Sequence, residues 1–381
     1  MQLKRLKLVN YRNYTDFEHE FNNLKTIIIG QNAQGKSNIL EAINILATSQ
    51  SDRAEKDSDL VFWNKEHSLI FANIETIDAE LNIALQINPT GRRKLKINDV
   101  PKRAPQADLV GNFFAVMFSC DDLYLIKGSP SIRRSWLDSI LFQLDKKYHK
   151  TLLDYQKSIA QKNALLKQSH EAMLSRKALK EQLDVWNTQI LNFGTDIIFT
   201  RLNFIDEIKP IAKDFQRKIS KDTEALDIIY KSSILQSSVF SHQDLLTLFK
   251  ATLDKSFEEE LMRGQSLVGP HRDDAIFMIN EKEAKSFASQ GQQRSTILSI
   301  KLAELKIIEK RKGEVPVLLL DDVFAELDEN RQDFLLHNLP RNIQTFLTTT
   351  HISDIQKEFL KDAQIIEIQN GQVLQSECKL A

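Results

Sequence analysis

Residues 30 to 37 read Gly-Gln-Asn-Ala-Gln-Gly-Lys-Ser, and few eight-residue segments restrict a chain's fold so tightly. The segment fits G-x-x-x-x-G-K-[ST], which works as a loop between a buried strand and the start of a helix. Both flanks are present: Thr26, Ile27, Ile28 and Ile29 form a strand-like apolar run, and Asn38, Ile39, Leu40, Glu41, Ala42 and Ile43 continue as helix. Gly30 and Gly35 let the backbone curl so that the N–H groups of Gln31, Asn32, Ala33 and Gln34 face phosphate oxygens. The helix starting near Ser37 and Asn38 adds its positive end to the same anion site. Lys36 supplies a mobile charge for the β- and γ-phosphates, and the Ser37 hydroxyl is placed to ligate Mg²⁺. The segment predicts an α/β unit that holds ATP with Mg²⁺.

A second piece lies far downstream. Val317, Leu318, Leu319 and Leu320 make a buried-strand run that ends in Asp321 and Asp322. ATP hydrolysis needs metal-binding oxygen opposite Ser37, so Asp321 is expected to hold Mg²⁺ through water and Asp322 to orient the attacking water. The 381 residues, 42% hydrophobic and 27% charged, have the composition of a globular protein with one large or two ordinary domains. Lys+Arg at 51 nearly cancels Asp+Glu at 52, so net charge neither announces nor excludes a nucleic-acid partner. The two cysteines, Cys120 and Cys378, fit neither a disulfide framework nor a metal cluster. No apolar run approaches the ~20 residues of a membrane span. The expectation is a soluble, cytoplasmic protein.

The first 120 residues read as short strands with one helix: Leu3 to Val9 alternates, Lys25 to Ile29 is apolar, and Ile70 to Ile87 reads as a strand pair. The middle changes character. Leu137, Leu141, Leu144, Tyr148, Leu152, Tyr155 and Ile159 fall on one helical face. A polar stretch from Lys167 to Lys177 follows, and Leu179, Leu183, Trp186, Ile190, Phe193 and Ile197 then repeat the spacing, which predicts an antiparallel helical hairpin. Further helix is expected over Phe204 to Ile219 and Ser241 to Leu261, and from Gly264 strands and helices alternate again. Residues 1–120 and 262–381 are therefore expected to form one α/β head with mixed sheets, split by a mainly helical arm domain at 121–261.

Three further features resemble those of ABC-type ATPases. Ser289-Gln290-Gly291-Gln292-Gln293-Arg294 precedes a helical stretch, as the signature loop does, where a helix N-terminus faces a γ-phosphate of the partner subunit. Asp328, in Val-Phe-Ala-Glu-Leu-Asp after Asp322, stands where the D-loop aspartate stands. His351 ends Thr348-Thr349-Thr350-His351 at the position of the switch histidine. The wide gap between Lys36 and Asp321 argues against a transporter nucleotide subunit and is similar to the SMC-like branch, where helices intrude between two ATPase halves. The hairpin is too short for an SMC coiled coil. The residues after His351 are too few for the extra nuclease domain of the overcoming-lysogenisation proteins. A structural ATP-gated DNA clamp with little turnover stays open as an alternative.

Over essentially its whole length the chain resembles the RecF family of bacterial recombinational repair ATPases. The likeness rests on Asn10-Tyr11-Arg12-Asn13-Tyr14, on Leu125 to Pro130 with Arg133-Arg134 and Leu137-Asp138, on Gly269-Pro270-His271-Arg272-Asp273-Asp274, and on Phe324-Ala325-Glu326-Leu327-Asp328. The resemblance implies an ATP-dependent homodimer that binds double- and single-stranded DNA at gap junctions and hydrolyses ATP slowly. It also implies work with RecR and RecO to load RecA, and roles in replication-fork maintenance and SOS induction. By the same likeness Arg12 and Asn13 approach the nucleotide, alongside Lys36, Asp321, Asp322 and His351 as the catalytic set and Ser289, Gly291, Gln292 and Asp328 across the dimer. Two departures stand out: Cys120 occupies the place of the family's usual proline, and no glutamine can be assigned to the Q-loop. The basic residues Arg92, Arg93, Lys94, Arg133 and Arg134 are the candidates for DNA phosphate contact.

Overall fold

The structure is a computed structural model that describes residues 1–168, 176–235 and 241–378. The polar stretch expected to turn the hairpin falls largely outside these residues. A central mixed sheet runs in the order Gln372–Cys378, Ala363–Gln369, Lys25–Ile29, Thr345–Thr349, Val317–Asp321, Ala115–Ser119. All of its neighbouring pairs are parallel except the first, which is an antiparallel hairpin. Parallel strands covered on both faces need apolar side chains in both directions, which explains the unbroken runs of sequence here. Ile27, Leu318, Leu320 and Leu347 point into one core, while Ile28, Val317, Leu319 and Phe346 point into the other.

The second core lies between this sheet and an antiparallel six-stranded sheet in the order Tyr14–Glu20, Gln2–Tyr11, Ser68–Glu75, Glu80–Ile87, Arg93–Ile97, Val100–Lys102. The helix Lys36–Thr48 is sandwiched between the two sheets and is buried from Ile39 to Thr48 on every face. A helix buried all round has no polar stripe, so only its loop marks it in the sequence. The opposite face of the central sheet carries the helices Pro130–Leu144, Lys146–Gln168, Arg176–Ile219, His242–Arg263 and Gln290–Lys312.

The helical region departs from its expected form in three ways. The face running from Leu137 to Ile159 is split at Asp145, whose backbone is extended (φ −146°, ψ 106°), into Pro130–Leu144 and Lys146–Gln168. The stretches expected as two helices around Ile197 and Phe204 are one helix, Arg176–Ile219, which passes through Pro210. The hairpin is also not a bare pair. Leu166, Leu179 and Leu183 form a small core against Phe257 and Leu261 of the helix His242–Arg263, making a three-helix contact. A strand, Leu226–Lys231, pairs with Asp274–Ile279 across the expected boundary at 261/262, and one continuous core joins helices from both sides of it.

A buried polar knot fixes the base of these helices. Arg201 is 2% exposed and donates to Asp138 Oδ1 (2.7 Å), the Tyr148 hydroxyl (2.9 Å) and the Pro270 carbonyl (2.9 Å). It thereby ties Arg176–Ile219 to two other helices and to the Gly269–Pro270 turn. Tyr155 meets His271 Nδ1 at 2.6 Å in the same region. Loss of one partner from such a knot strands the others, so Arg201→Ala should lower unfolding stability by about 3–5 kcal/mol in urea at neutral pH. A loss under about 1 kcal/mol would show that the knot is peripheral.

Candidate functional site

The central sheet gathers the chemistry at the carboxyl ends of its parallel strands, where ligands of open α/β sheets bind. Ile29 pairs with Thr349 and Glu367, and Asp321 pairs with Thr348 and Ser119. The residues that follow each strand, Gly30, His351, Asp322 and Cys120, are thus brought to one edge. Here the Ser37 hydroxyl donates to Asp321 Oδ1 at 2.7 Å, although the two lie at opposite ends of the sequence.

Thr348 completes this contact. Its hydroxyl donates to the same Asp321 oxygen (2.7 Å) and accepts the Asp322 backbone N–H (3.0 Å). Asp322 holds a left-handed backbone (φ 53°), which turns its side chain out of the strand's alternation. Burial pushes the Asp322 carboxyl above its usual range; Lys36 opposes the shift and Asp321 adds to it. His351 is exposed, and its backbone N–H is tied back to the Thr349 hydroxyl at 3.2 Å.

The phosphate loop is braced from two sides. Lys36 is 4% exposed and donates to the carbonyls of Gly30 (2.7 Å) and Gln31 (3.1 Å). Gln31, Asn32 and Ala33 form the exposed tip. Asn13 donates to the Gln34 carbonyl (3.0 Å) and accepts from Asn38 (2.8 Å), and the Tyr14 hydroxyl donates to the Gly35 carbonyl (3.0 Å). The loop needs glycine at 35: φ is +111°, and a Cβ there would lie 2.6 Å from the Asn13 amide nitrogen. On the other side, the two-residue turn Asn370-Gly371 donates its Asn370 N–H to Gln34 Oε1 (2.5 Å) and its Gly371 N–H to the Gln34 carbonyl (3.2 Å). Both turn residues have positive φ, which suits Asn-Gly and places the hairpin tip against the loop.

Arg12 does not reach freely toward a nucleotide. Its guanidinium donates to both Glu41 oxygens (2.8 and 2.5 Å) and to the Asp59 carbonyl (2.9 Å). Burial pushes the Glu41 carboxyl up, but the bonds from Arg12 and Ser51 outweigh it and hold Glu41 below its usual range. Arg12 and Asn13 instead line a cleft of about 420 Å³ beside the loop, with Asn38, Arg53, Phe62 and the exposed Trp63 on its walls.

The signature and D-loop residues form a second cluster. Ser289 caps the helix Gln290–Lys312: its hydroxyl accepts the Gln292 N–H (3.2 Å), and Gln292 Oε1 accepts the Ser289 N–H (2.9 Å). Asp328 caps Glu329–Asn338 by accepting the Arg331 N–H at 2.9 Å. Gly291 lies against the Arg331 guanidinium. Ser289 and Asp328 are both exposed. At the place of the family's usual proline, the Cys120 thiol lies 3.8 and 3.9 Å from the carbonyls of Asp321 and Asp322. Desolvation, with Glu326 and the two aspartates, pushes this thiol up to about 12, so it stays protonated.

Three of the basic candidates for DNA have other commitments. Arg93 is bonded to Asp57 (2.6 and 3.0 Å) and the Ser49 carbonyl (2.6 Å), and is almost wholly buried. Arg133 is buried against Asp274 (2.6 and 2.9 Å) and the Gly128 carbonyl (3.0 Å). These two are withdrawn, because each has spent its donors on carboxylates and carbonyls inside the fold. Arg134 is half-buried with one nitrogen on the Asp273 carbonyl (2.8 Å). Arg92 and Lys94 remain exposed. Sequence reasoning passed over Arg331, the bracing turn at Asn370-Gly371 and the bonding role of Thr348. Only the Asn-Gly dipeptide carried a local signal.

If the turn braces the loop, Gly371→Ala should raise the dissociation constant for ATP about tenfold, or 1.4 kcal/mol. Its φ is +73° and its Cβ would come within 2.9 Å of the Asn13 carbonyl oxygen. Gly91→Ala is the control, since it has a similar φ of +79° but open space around it. Equal effects from the two, read by titration with a fluorescent ATP analogue, would refute the bracing.

Residues 2–373 match the family described as RecF/RecN/SMC N terminal domain. The chain is 41% identical to the DNA replication and repair protein RecF of Thermosynechococcus vestitus, over 98% of this chain and 97% of that one. It is 38% identical to the protein of that name from Bacillus cereus, over 98% of each. A solved structure of the recombination mediator protein RecF with ATP, from the RecFOR pathway, superposes with a TM-score of 0.90. It is 34% identical and covers 99% of this chain and 97% of that one. An Smc head bound to the C-terminal winged-helix domain of ScpA superposes at 0.54 with 17% identity over 99% of this chain and 98% of that one, which shows the shared fold. The head of two packed sheets, the loop at Gly30 to Ser37 and these likenesses agree: the chain belongs to the RecF family of DNA replication and repair proteins.

Proposed function

We propose that this protein is an ATP-driven, DNA-binding dimer of recombinational repair and replication-fork maintenance, with slow, DNA-dependent ATP hydrolysis releasing its grip. The observation that carries the reading is the 2.7 Å contact between Ser37 Oγ and Asp321 Oδ1. Ser37 would ligate Mg²⁺ and Asp321 would hold it through water, both being oxygen donors of the kind this ion takes. Bound Mg²⁺ would neutralise charge on the phosphate oxygens. Lys36, held meanwhile by two carbonyls, is placed to turn onto the β- and γ-phosphates, and the cleft at Arg12, Asn13 and Asn38 takes the nucleoside. Asp322, turned out of its strand beside Asp321, orients the attacking water, with His351 at the neighbouring strand end.

The second half of the site comes from another copy of the chain. Ser289, Gly291, Gln292 and Asp328 present a capped helix end and an acidic loop at the surface, where a second protomer's phosphate can reach them. The relatives are DNA replication and repair proteins, and a matching structure is assigned to the RecFOR pathway. This supports action at gap junctions in double- and single-stranded DNA, with RecO and RecR, toward RecA loading and SOS induction. No helix among the described residues is long and apolar enough to cross a membrane, which is compatible with a cytoplasmic setting. The domain division proposed is a head of 1–120 with 262–381 and a helical arm of 121–261.

Sedimentation with ATP, ADP or no nucleotide, each with and without gapped DNA, tests the reading. Dimers are expected with ATP alone and should be most stable with ATP and DNA together; a monomer under every condition would sink the two-copy mechanism. For the DNA surface, Arg92→Ala with Lys94→Ala should weaken binding and flatten its salt dependence by about 0.9 in log–log slope for each DNA phosphate left without its cation. An unaltered slope removes this patch.

A further inference from the structure

Arg331 has no part in the reading above, yet its guanidinium spans both elements of the second cluster. It stands in the first turn of Glu329–Asn338, three residues beyond the cap Asp328. Its Nε and Nη2 both donate to the Ser295 hydroxyl (3.0 and 2.9 Å), and Nη2 also donates to the Gly291 carbonyl (2.9 Å). Nη1 donates to Asp328 Oδ2, while the backbone N–H of the same residue donates to Asp328 Oδ1. One guanidinium therefore touches the signature helix at two levels and the D-loop at its tip. A planar fork spreads fixed donors over three nitrogens and so reaches acceptors on both elements; a lysine ammonium radiates its three donors from a single nitrogen.

The placement has a consequence for Gly291. A Cβ at that position would stand 3.3 Å from Arg331 Nη2, a tight contact that would press the guanidinium back by a few tenths of an ångström. Ser295 is buried, and its hydroxyl serves as the acceptor on the helix for both nitrogens. Among the described residues, no bond of Arg331 reaches the chain's own Lys36 or Ser37. Its bonds all run between the two surface elements offered to a second copy.

We infer that Arg331 is a positioning residue that joins the signature helix end to the D-loop, so that both present to a second protomer's nucleotide as one rigid surface. The inference rests on the two-copy reading. Removing the guanidinium leaves Ser289 and Asp328 in place but loosens the join between the two elements, which then keep the longer Arg294–Glu326 ion pair (3.7 Å). A half-site that must fit the phosphate of another molecule loses more by such looseness than the chain's own phosphate loop does.

The test mixes two inactive variants. Arg331→Ala alone should keep the wild-type affinity for ADP, which the chain's own loop binds, and lose ATP-dependent dimers and at least tenfold in kcat. Lys36→Ala alone should fail at its own loop but keep an intact Arg331. Because neither variant forms ATP-dependent dimers by itself, those that form in an equal mixture pair one of each, and such a dimer has one site of two built from intact halves. Up to about half of the wild-type hydrolysis rate should therefore return. No recovery would overturn the assignment, because an Arg331 acting on its own protomer's loop, or a misfolded variant, cannot be complemented. Arg331→Lys should behave like the alanine variant, and full activity in it would also overturn the inference. If the wild-type protein shows no ATP-dependent dimer, the two-copy reading fails, and that failure is seen without any variant.

Discussion

The contact between Ser37 and Asp321 is the constraint on which the rest of the architecture turns. It joins the end of one strand to the start of a helix that belongs to a different strand, and it does so at 2.7 Å. Such a distance survives only if the strands carrying the two residues keep their register. Thr345–Thr349 lies between them and pairs in parallel with both. Slippage by one residue would flip every side chain on that strand between the two cores. The apolar runs at 26–29, 317–320 and 345–347 therefore do two things together. They bury both faces of the sheet, and they hold Ser37 and Asp321 within hydrogen-bond distance.

Bracing around the loop follows from the same demand. A loop whose N–H groups face inward cannot bond them to one another, so its shape must be imposed by its carbonyls and side chains. Asn13 and Tyr14 hold it from the N-terminal sheet, and Asn370 and Gly371 hold it from the far end of the chain. Both supports come from two-residue or three-residue turns with positive φ, at Arg12 and at Asn370-Gly371. The hydrogen bonds are individually worth about 1 kcal/mol, too little to define a fold. Their value lies in fixing a pocket before the ligand arrives, which reduces the ordering that binding itself must accomplish.

How much of this was legible depends on whether each signal was local. The loop, its flanking strand and helix, and the paired acids are contiguous in sequence, so their chemistry could be read directly. Hairpin turns at Asn98-Asp99 and Asn370-Gly371 also show locally, as left-handed pairs of turn residues. The roles of Arg93 and Arg133 did not, because their partners, Asp57 and Asp274, are far away in the chain. A basic residue in sequence looks the same whether it faces solvent or a buried carboxylate. Asp145 was missed for another reason. The apolar spacing continues in phase across it, so periodicity alone reports one helix where the backbone makes two.

On the proposed two-copy reading, the same distinction explains why the two halves of the nucleotide site are built so differently. The loop half leads into a helix buried between two sheets, and the loop itself is braced by Asn13, Tyr14 and the Asn370-Gly371 turn. The signature and D-loop half sits at the surface, where Ser289 and Asp328 are exposed. A surface that must match another molecule cannot draw its rigidity from burial before the partner arrives. It has to draw rigidity from directed bonds between its own elements. The capping box at Ser289 fixes the helix end, the cap at Asp328 fixes the loop, and the Arg331 fork fixes the two to each other. Charge-assisted bonds of this kind are strong and directional. On the proposed reading they let an exposed half-site arrive preformed, while its contact with a second protomer depends on the nucleotide between them.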